Sequence, residues 1–135
     1  MALQYSVAVR NAQIDALETT IGVSAVLKIR SGAPPATVAT ADSGTVLATM
    51  TLPSDWLAAA SSGSKAKSGT WQDTSADASG TAGHFRIYAS DGTTAHMQGT
   101  VTATGGGGDL TLDNTSIASG QSITINSFSI SAANS

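Results

Sequence analysis

The chain has 135 residues, enough for one domain with a single modest core and too few for two independent ones. Charged residues make up 11% of it, against roughly 25% in ordinary soluble domains, and the net charge is -3 with six Lys and Arg in total. This balance excludes a nucleic-acid partner, which needs clustered cations; the lack of cysteine excludes disulfides and thiolate metal sites; and no apolar run approaches the ~20 residues of a membrane span.

The hydrophobic share is 41%, much of it alanine, and aromatic residues are only 4%, so the core is expected to be thin. The surface must then consist largely of Ser, Thr, Ala and Gly. Such a surface is cheap to desolvate, which suits extended contact with neighbouring subunits. The start, Met1-Ala2-Leu3-Gln4-Tyr5, lacks the basic and apolar regions of a signal peptide, so use without secretion is expected.

In chain order, Leu3, Val7, Ile14, Leu17 and Ile21 recur at helical spacing with polar residues between them, predicting an amphipathic helix over residues 3–21. Ser6 can cap its start and Gly22 can end it. From residue 23 the period becomes two: Ala25, Leu27 and Ile29 face one way and Val26, Lys28 and Arg30 the other. Residues 31–44, with Gly32-Ala33-Pro34-Pro35, form a long loop. A strand follows over 45–52, then a turn at Pro53-Ser54-Asp55. The stretch 61–69, with Lys65 and Lys67, reads as a solubilised loop tip, and residues 73–83 as a second loop.

Around Ser90-Asp91-Gly92 a three-residue hairpin loop with Gly92 left-handed keeps Phe85 and Ile87 with Ala95 and Met97. It sets His84, Arg86 and Tyr88 with Thr94, His96 and Gln98, and Arg86 opposite His96. Gly105 to Gly108 is a flexible break before a strand at Leu110 and Leu112. Ile123 and Ile125 share one parity and Phe128 and Ile130 the other, which predicts a β-bulge at Asn126-Ser127 that turns all four inward. The expected fold class is mostly β, an antiparallel β-sandwich of about seven short strands with one N-terminal amphipathic helix. Residues 1–22 form a helix or arm, and 23–135 a single β domain.

Chemistry-bearing patterns are sparse. His84 and His96 share a sheet face with a cation between them and no evident third ligand, so they predict a polar outer or interface face and no metal site. No Gly-x-Ser-x-Gly elbow occurs, and the Gly run lacks the Lys-Ser/Thr of a phosphate loop. Asp73, Asp77, Asp109 and Asp113 are too irregularly spaced for a calcium loop. Trp56 and Trp71, the largest apolar groups, are either core anchors or interface hot spots. No enzyme activity and no cofactor are expected.

Several segments are similar to a family. Ala25-Val26-Leu27-Lys28-Ile29-Arg30-Ser31-Gly32, Leu52-Pro53-Ser54-Asp55-Trp56, Ser68-Gly69-Thr70-Trp71-Gln72-Asp73, Gly83-His84-Phe85-Arg86-Ile87-Tyr88 and the run from Gln98 to Gly108, with Gly120-Gln121, carry the likeness. With them the chain resembles small Ala/Ser/Thr/Gly-rich virion structural proteins of tailed bacteriophages and prophages. The resemblance implies a virion component assembled in the bacterial host cytoplasm, without catalytic residues. It leads to the expectation of a head decoration, or cement, protein that binds major capsid protein or other virion subunits as a homo-oligomer, a trimer being favoured. A tail, neck or fibre-attachment protein and a carbohydrate-binding module are the alternatives. The candidate interface residues are Leu3, Val7, Trp56, Trp71, His84, Arg86, Tyr88 and His96, with loops 31–44 and 73–83 as further contacts.

Overall fold

The computed structural model describes residues 3–132; Met1, Ala2 and the last three residues of the expected β domain lie outside them. Helix α1 spans Val7–Ile21. Ser6 caps it by accepting from the Val9 N–H at 3.2 Å, and the Gly22 N–H closes on the Glu18 carbonyl at 2.9 Å, so both caps are the expected residues, while residues 3–6 of the expected helix lie before its start. Only the second half of the predicted stripe is used: Ile14 and Ile21 are buried and Leu17 half-buried, whereas Leu3 and Val7 are exposed. The reason is the short platform beneath the helix, the stretch 57–65, which turns back on itself at Ser61 and Ser64.

Among the described residues ten strands follow: β1 Val26–Ser31, β2 Val46–Thr51, β3 Ser64–Ala66, β4 Trp71–Asp73, β5 Gly80–Tyr88, β6 Ala95–Ala103, β7 Leu110–Leu112, β8 Ser116–Ile117, β9 Ile123–Ile125 and β10 Ser129–Ser131. The protein is mostly β, with one helix and a curled sheet. That sheet has the order β2-β1-β5-β6-β7, and β8 pairs with the start of β5. Two ribbons, β3 with β10 and β4 with β9, complete the strand pairing. One core joins Leu27, Ile29, Phe85 and Ile87 of the sheet to Trp56, Trp71, Ile125 and Phe128. Its aromatic spine runs Trp56 to Trp71 (6.0 Å between centroids), Trp71 to Phe128 (5.4 Å) and Phe128 edge-on to Phe85 (5.8 Å). The thin core is thus concentrated on one stack.

Several expectations are corrected. Residues 61–69 are no loop tip: β3 lies inside them, and Lys65 is buried because two helix carboxylates face it. The second loop is shorter than 73–83, since β5 begins at Gly80. Gly92 is left-handed (φ 71°) as predicted, but the connection runs from Ala89 to Thr94 and a bulge at Ile87/Tyr88 shifts the register. Arg86 therefore faces Gln98 instead of His96, while Phe85 and Ile87 still share a face with Met97 and Gly99.

The pair β6–β7 is parallel, although parallel neighbours ordinarily need a crossover of a dozen or more residues. Here hydrogen bonds between β6 and the returning chain tie it down: Thr102 Oγ1 of β6 accepts from the Gly108 N–H at 2.9 Å, and the Asp109 carboxylate of the returning chain accepts from the Thr100 N–H at 2.9 Å. The Gly run is the tight turn that this return requires. Finally, no bulge joins Ile125 to Phe128. The chain changes partner there, β9 pairing with β4 and β10 with β3. The change of ribbon brings Ile123, Ile125, Phe128 and Ile130 all against the core.

Candidate functional site

The outward face of β1, β5 and β6 carries Lys28, Arg30, His84, Arg86, Tyr88 and Gln98, a set no isolated sheet could bury. Loop 32–45 folds back over it, and the Gly83 position marks how closely. A Cβ there would collide with the Gly32 carbonyl, so only glycine allows the loop to lie on β5.

The loop brings one carboxylate, Asp42, which serves three donors. Arg30 Nη2 donates to Oδ2 at 2.8 Å, Arg86 Nη1 to Oδ1 at 2.7 Å, and the Tyr88 hydroxyl to Oδ1 at 2.8 Å. Arg86, 2% exposed, gives its remaining donors to Gln98 Oε1 and to the Thr37 and Thr40 carbonyls. Gln98 Nε2 donates to the Pro35 carbonyl at 2.7 Å, and Arg30 reaches the Tyr88 hydroxyl and the Gly44 carbonyl. Buried guanidinium groups are tolerable only when so fully partnered. Burial pushes the Asp42 carboxyl up, but hydrogen bonds from Tyr88 and Arg86 and the two guanidinium charges outweigh it and hold the group below its ordinary value. Tyr88 is raised, by burial first and by its bond to Asp42 second.

His84 is fully buried, with Nδ1 2.8 Å from the Gly32 carbonyl, which makes Nδ1 the protonated nitrogen. Its Nε2 meets no hydrogen-bond partner. Each guanidinium nitrogen of Arg30 and Arg86 donates to a protein acceptor, so the chemistry of this cluster is that of a clasp holding loop 32–45 to the sheet.

A second polar seam docks α1. Lys65 Nζ lies 2.7 Å from Asp15 Oδ1 and 3.9 Å from Glu18 Oε2; Gly63 N–H donates to Asn11 Oδ1 at 2.8 Å, and Arg10 Nη2 to the Ser62 carbonyl at 3.1 Å. Burial, and the Asp55 carboxyl beside it, hold Glu18 above its ordinary value against the pull of Lys65.

The predicted interface residues therefore separate. Trp56 and Trp71 are 0% exposed, each with its indole N–H donated to a backbone carbonyl, of Gly22 and Ser68, so they are core anchors. His84, Arg86 and Tyr88 are buried beneath their own loop, which the sequence reading had placed on an outer face. Leu3, Val7 and His96 remain accessible. What the sequence reading missed is Asp42. The signal was present, because loop 31–44 contains a single charged residue, an acid, and the polar face it must cover carries Lys28, Arg30 and Arg86 and no carboxylate.

All six Lys and Arg lie among the described residues, and all turn to their own chain: Arg10, Arg30, Lys65 and Arg86 as above, Lys28 over the Tyr88 ring at 5.0 Å, and Lys67 on the Gly69 carbonyl at 2.7 Å. Among the described residues the large exposed apolar side chains are Leu3, Tyr5, Val7, Val9 and Val23, all within or beside the N-terminal helix and arm. Among them too, no group of three or more His, Asp or Glu is placed to hold a metal. No family model, curated protein or solved structure matches the chain.

Proposed function

We propose that this chain is a structural protein of a tailed-bacteriophage virion, and specifically a head decoration subunit that binds across joints between major capsid subunits. The observation that carries the reading is a surface poor in charge and without free cations. Every cation is engaged within the subunit, and apart from exposed carboxylates such as Asp55, Asp77, Asp91, Asp109 and Asp113 the outside is left largely to hydroxyl, methyl and backbone groups. Covering such a surface strips no free cation from water, so an extended contact that leaves the carboxylates at its rim costs little desolvation. In this reading the curled sheet and the ribbons are the two layers of a β-sandwich, and the subunit binds as a homo-oligomer, a trimer.

The mechanism is mass-action linkage. A subunit that binds only the assembled lattice, bridging two neighbours, stabilises that lattice against the opening of the joint. It needs no reaction, no cofactor and no metal. The clasped loop 32–45 gives a contact surface already ordered before binding, which limits the entropy lost on docking. The likeness of its segments to small virion proteins supports the same reading.

Quantitative mass spectrometry of purified particles tests it. A ratio to major capsid protein between one to one and one to a few is expected. A ratio below about one to thirty overturns the decoration role and moves the subunit to the neck or tail, where a closed ring needs few copies.

A further inference from the structure

His84 is 0% exposed beneath loop 32–45, on the face that the clasp seals. Its Nδ1–H donates to the Gly32 carbonyl at 2.8 Å, which fastens the first residue of the loop to β5. Its Nε2 is buried without a hydrogen-bond partner, so in the neutral ring it is a bare acceptor. The imidazole therefore fits this site in one protonation state alone.

The groups packed around the ring leave no place for a second proton. On β1, Arg30 is its direct cross-strand partner, and Lys28, across from Arg86, lies further along the same face. On β5 itself, Arg86 and Tyr88 follow at the same parity. On β6, Thr100 stands opposite His84, with its N–H and hydroxyl both donated to Asp109 Oδ2; Gln98 is engaged with Arg86, and His96 is exposed. Loop 32–45 brings Asp42 alone, whose oxygens already take Arg30, Arg86 and Tyr88. A protonated His84 would be a further cation under the loop, with a new donor at Nε2 and no acceptor to receive it.

We propose that His84 is an acid-release latch: proton uptake at Nε2 requires loop 32–45 to lift from the sheet, so acid shifts the loop toward an open form. The neutral ring holds the loop through its Nδ1 bond, whereas the charged ring reaches water only once the loop has opened. The open form binds one proton more than the closed form, so the opening equilibrium rises as pH falls. Asp42 adds to this only at lower pH. Its value is held below the ordinary one while the loop is closed, so it gains a proton on release at and below the ordinary Asp range. Above that range the pH dependence of opening is left to His84. The latch is a property of the single subunit and is independent of the virion reading.

Amide hydrogen exchange, corrected for the intrinsic rate at each pH, reads the opening. The reporters are Thr40 and Thr45, whose N–H groups are bonded to the Thr37 carbonyl and to Ser31 Oγ; Leu52, bonded to the Ala25 carbonyl, reports unfolding of the sheet itself. Between about pH 7 and about pH 5 the opening constant at Thr40 and Thr45 is expected to rise about fivefold to twentyfold, with Leu52 unchanged. The variant His84→Asn sets an amide donor where Nδ1 stands and cannot titrate. With its fold confirmed by circular dichroism, its loop should open equally at both pH values. A flat opening constant in the wild type, or the same rise in the variant, overturns the latch. If the variant does not fold, the imidazole carbon resonances of the wild type decide, with exposed His96 as the internal reference. A His84 ring that charges only in molecules whose loop amides have left their closed-state shifts upholds the latch, and one that charges with those shifts intact overturns it.

Discussion

At the scale of single residues, Asp42 has the largest structural effect for its size. Removing it leaves Arg30 and Arg86, 8% and 2% exposed in their side chains, as buried cations with only neutral acceptors. Breaking a buried pair costs about 3–5 kcal/mol; because the Asp42 side chain itself is 37% exposed, Asp42→Ala is expected to cost less, about 2–3 kcal/mol, read by urea denaturation. The pH dependence has a defined sign. Its folded value lies below the unfolded one, so its contribution is complete above the ordinary Asp range and is lost as pH falls through the folded value. Glu18 behaves oppositely. Its folded value is raised, chiefly by burial, so the folded chain takes that proton first and the ionised group detracts from stability at neutral pH. Glu18→Gln should therefore raise stability at pH 7, by up to about 1 kcal/mol, with little change below the ordinary Glu range. Lys65 keeps Asp15 at 2.7 Å, so the substitution does not orphan it. A loss of stability at pH 7 would show that the Lys65 contact at 3.9 Å outweighs burial.

Among the elements, the clasped loop and the aromatic spine make separable predictions. Gly83→Ala drives a methyl into the Gly32 backbone, which cannot move away without lifting the loop from β5. A cost of about 1–3 kcal/mol is expected, with hydrogen exchange accelerated over residues 32–45 and unchanged in β7. Unaltered exchange in the loop would mean that the strand yields instead. Trp71 contacts both Trp56 and Phe128, so Trp71→Ala opens the middle of the stack and should cost about 3–5 kcal/mol by the same denaturation assay.

For the whole molecule, the polar seam and the bond from Trp56 Nε1 to the Gly22 carbonyl at 3.0 Å join the helix to the β core. The chain should unfold as one cooperative unit, with tryptophan fluorescence and far-ultraviolet circular dichroism giving coincident midpoints. A helical signal that melts before the fluorescence changes would show that residues 1–22 are a separate unit.

The sequence by itself determined the local features. Ser6 and Gly22 bound the helix, a period of two marked β1, β2, β5 and β6, and Gly92 took the left-handed turn, because each depends on the chemistry of neighbouring residues. The sequence also placed Ile123, Ile125, Phe128 and Ile130 together on the inside, but through a bulge that the structure replaces with a change of ribbon. Only the tertiary structure decided the rest. Alternation tells which residues share a face but not what lies above it, so the outward set of Arg30, His84, Arg86 and Tyr88 read as surface until loop 32–45 and Asp42 covered it. Lys65 looked solvated until two carboxylates from α1, 47 and 50 positions away in the chain, made its burial affordable. The parallel return of β7 and the change of ribbon after Ile125 likewise depend on contacts between distant segments, which no local pattern encodes.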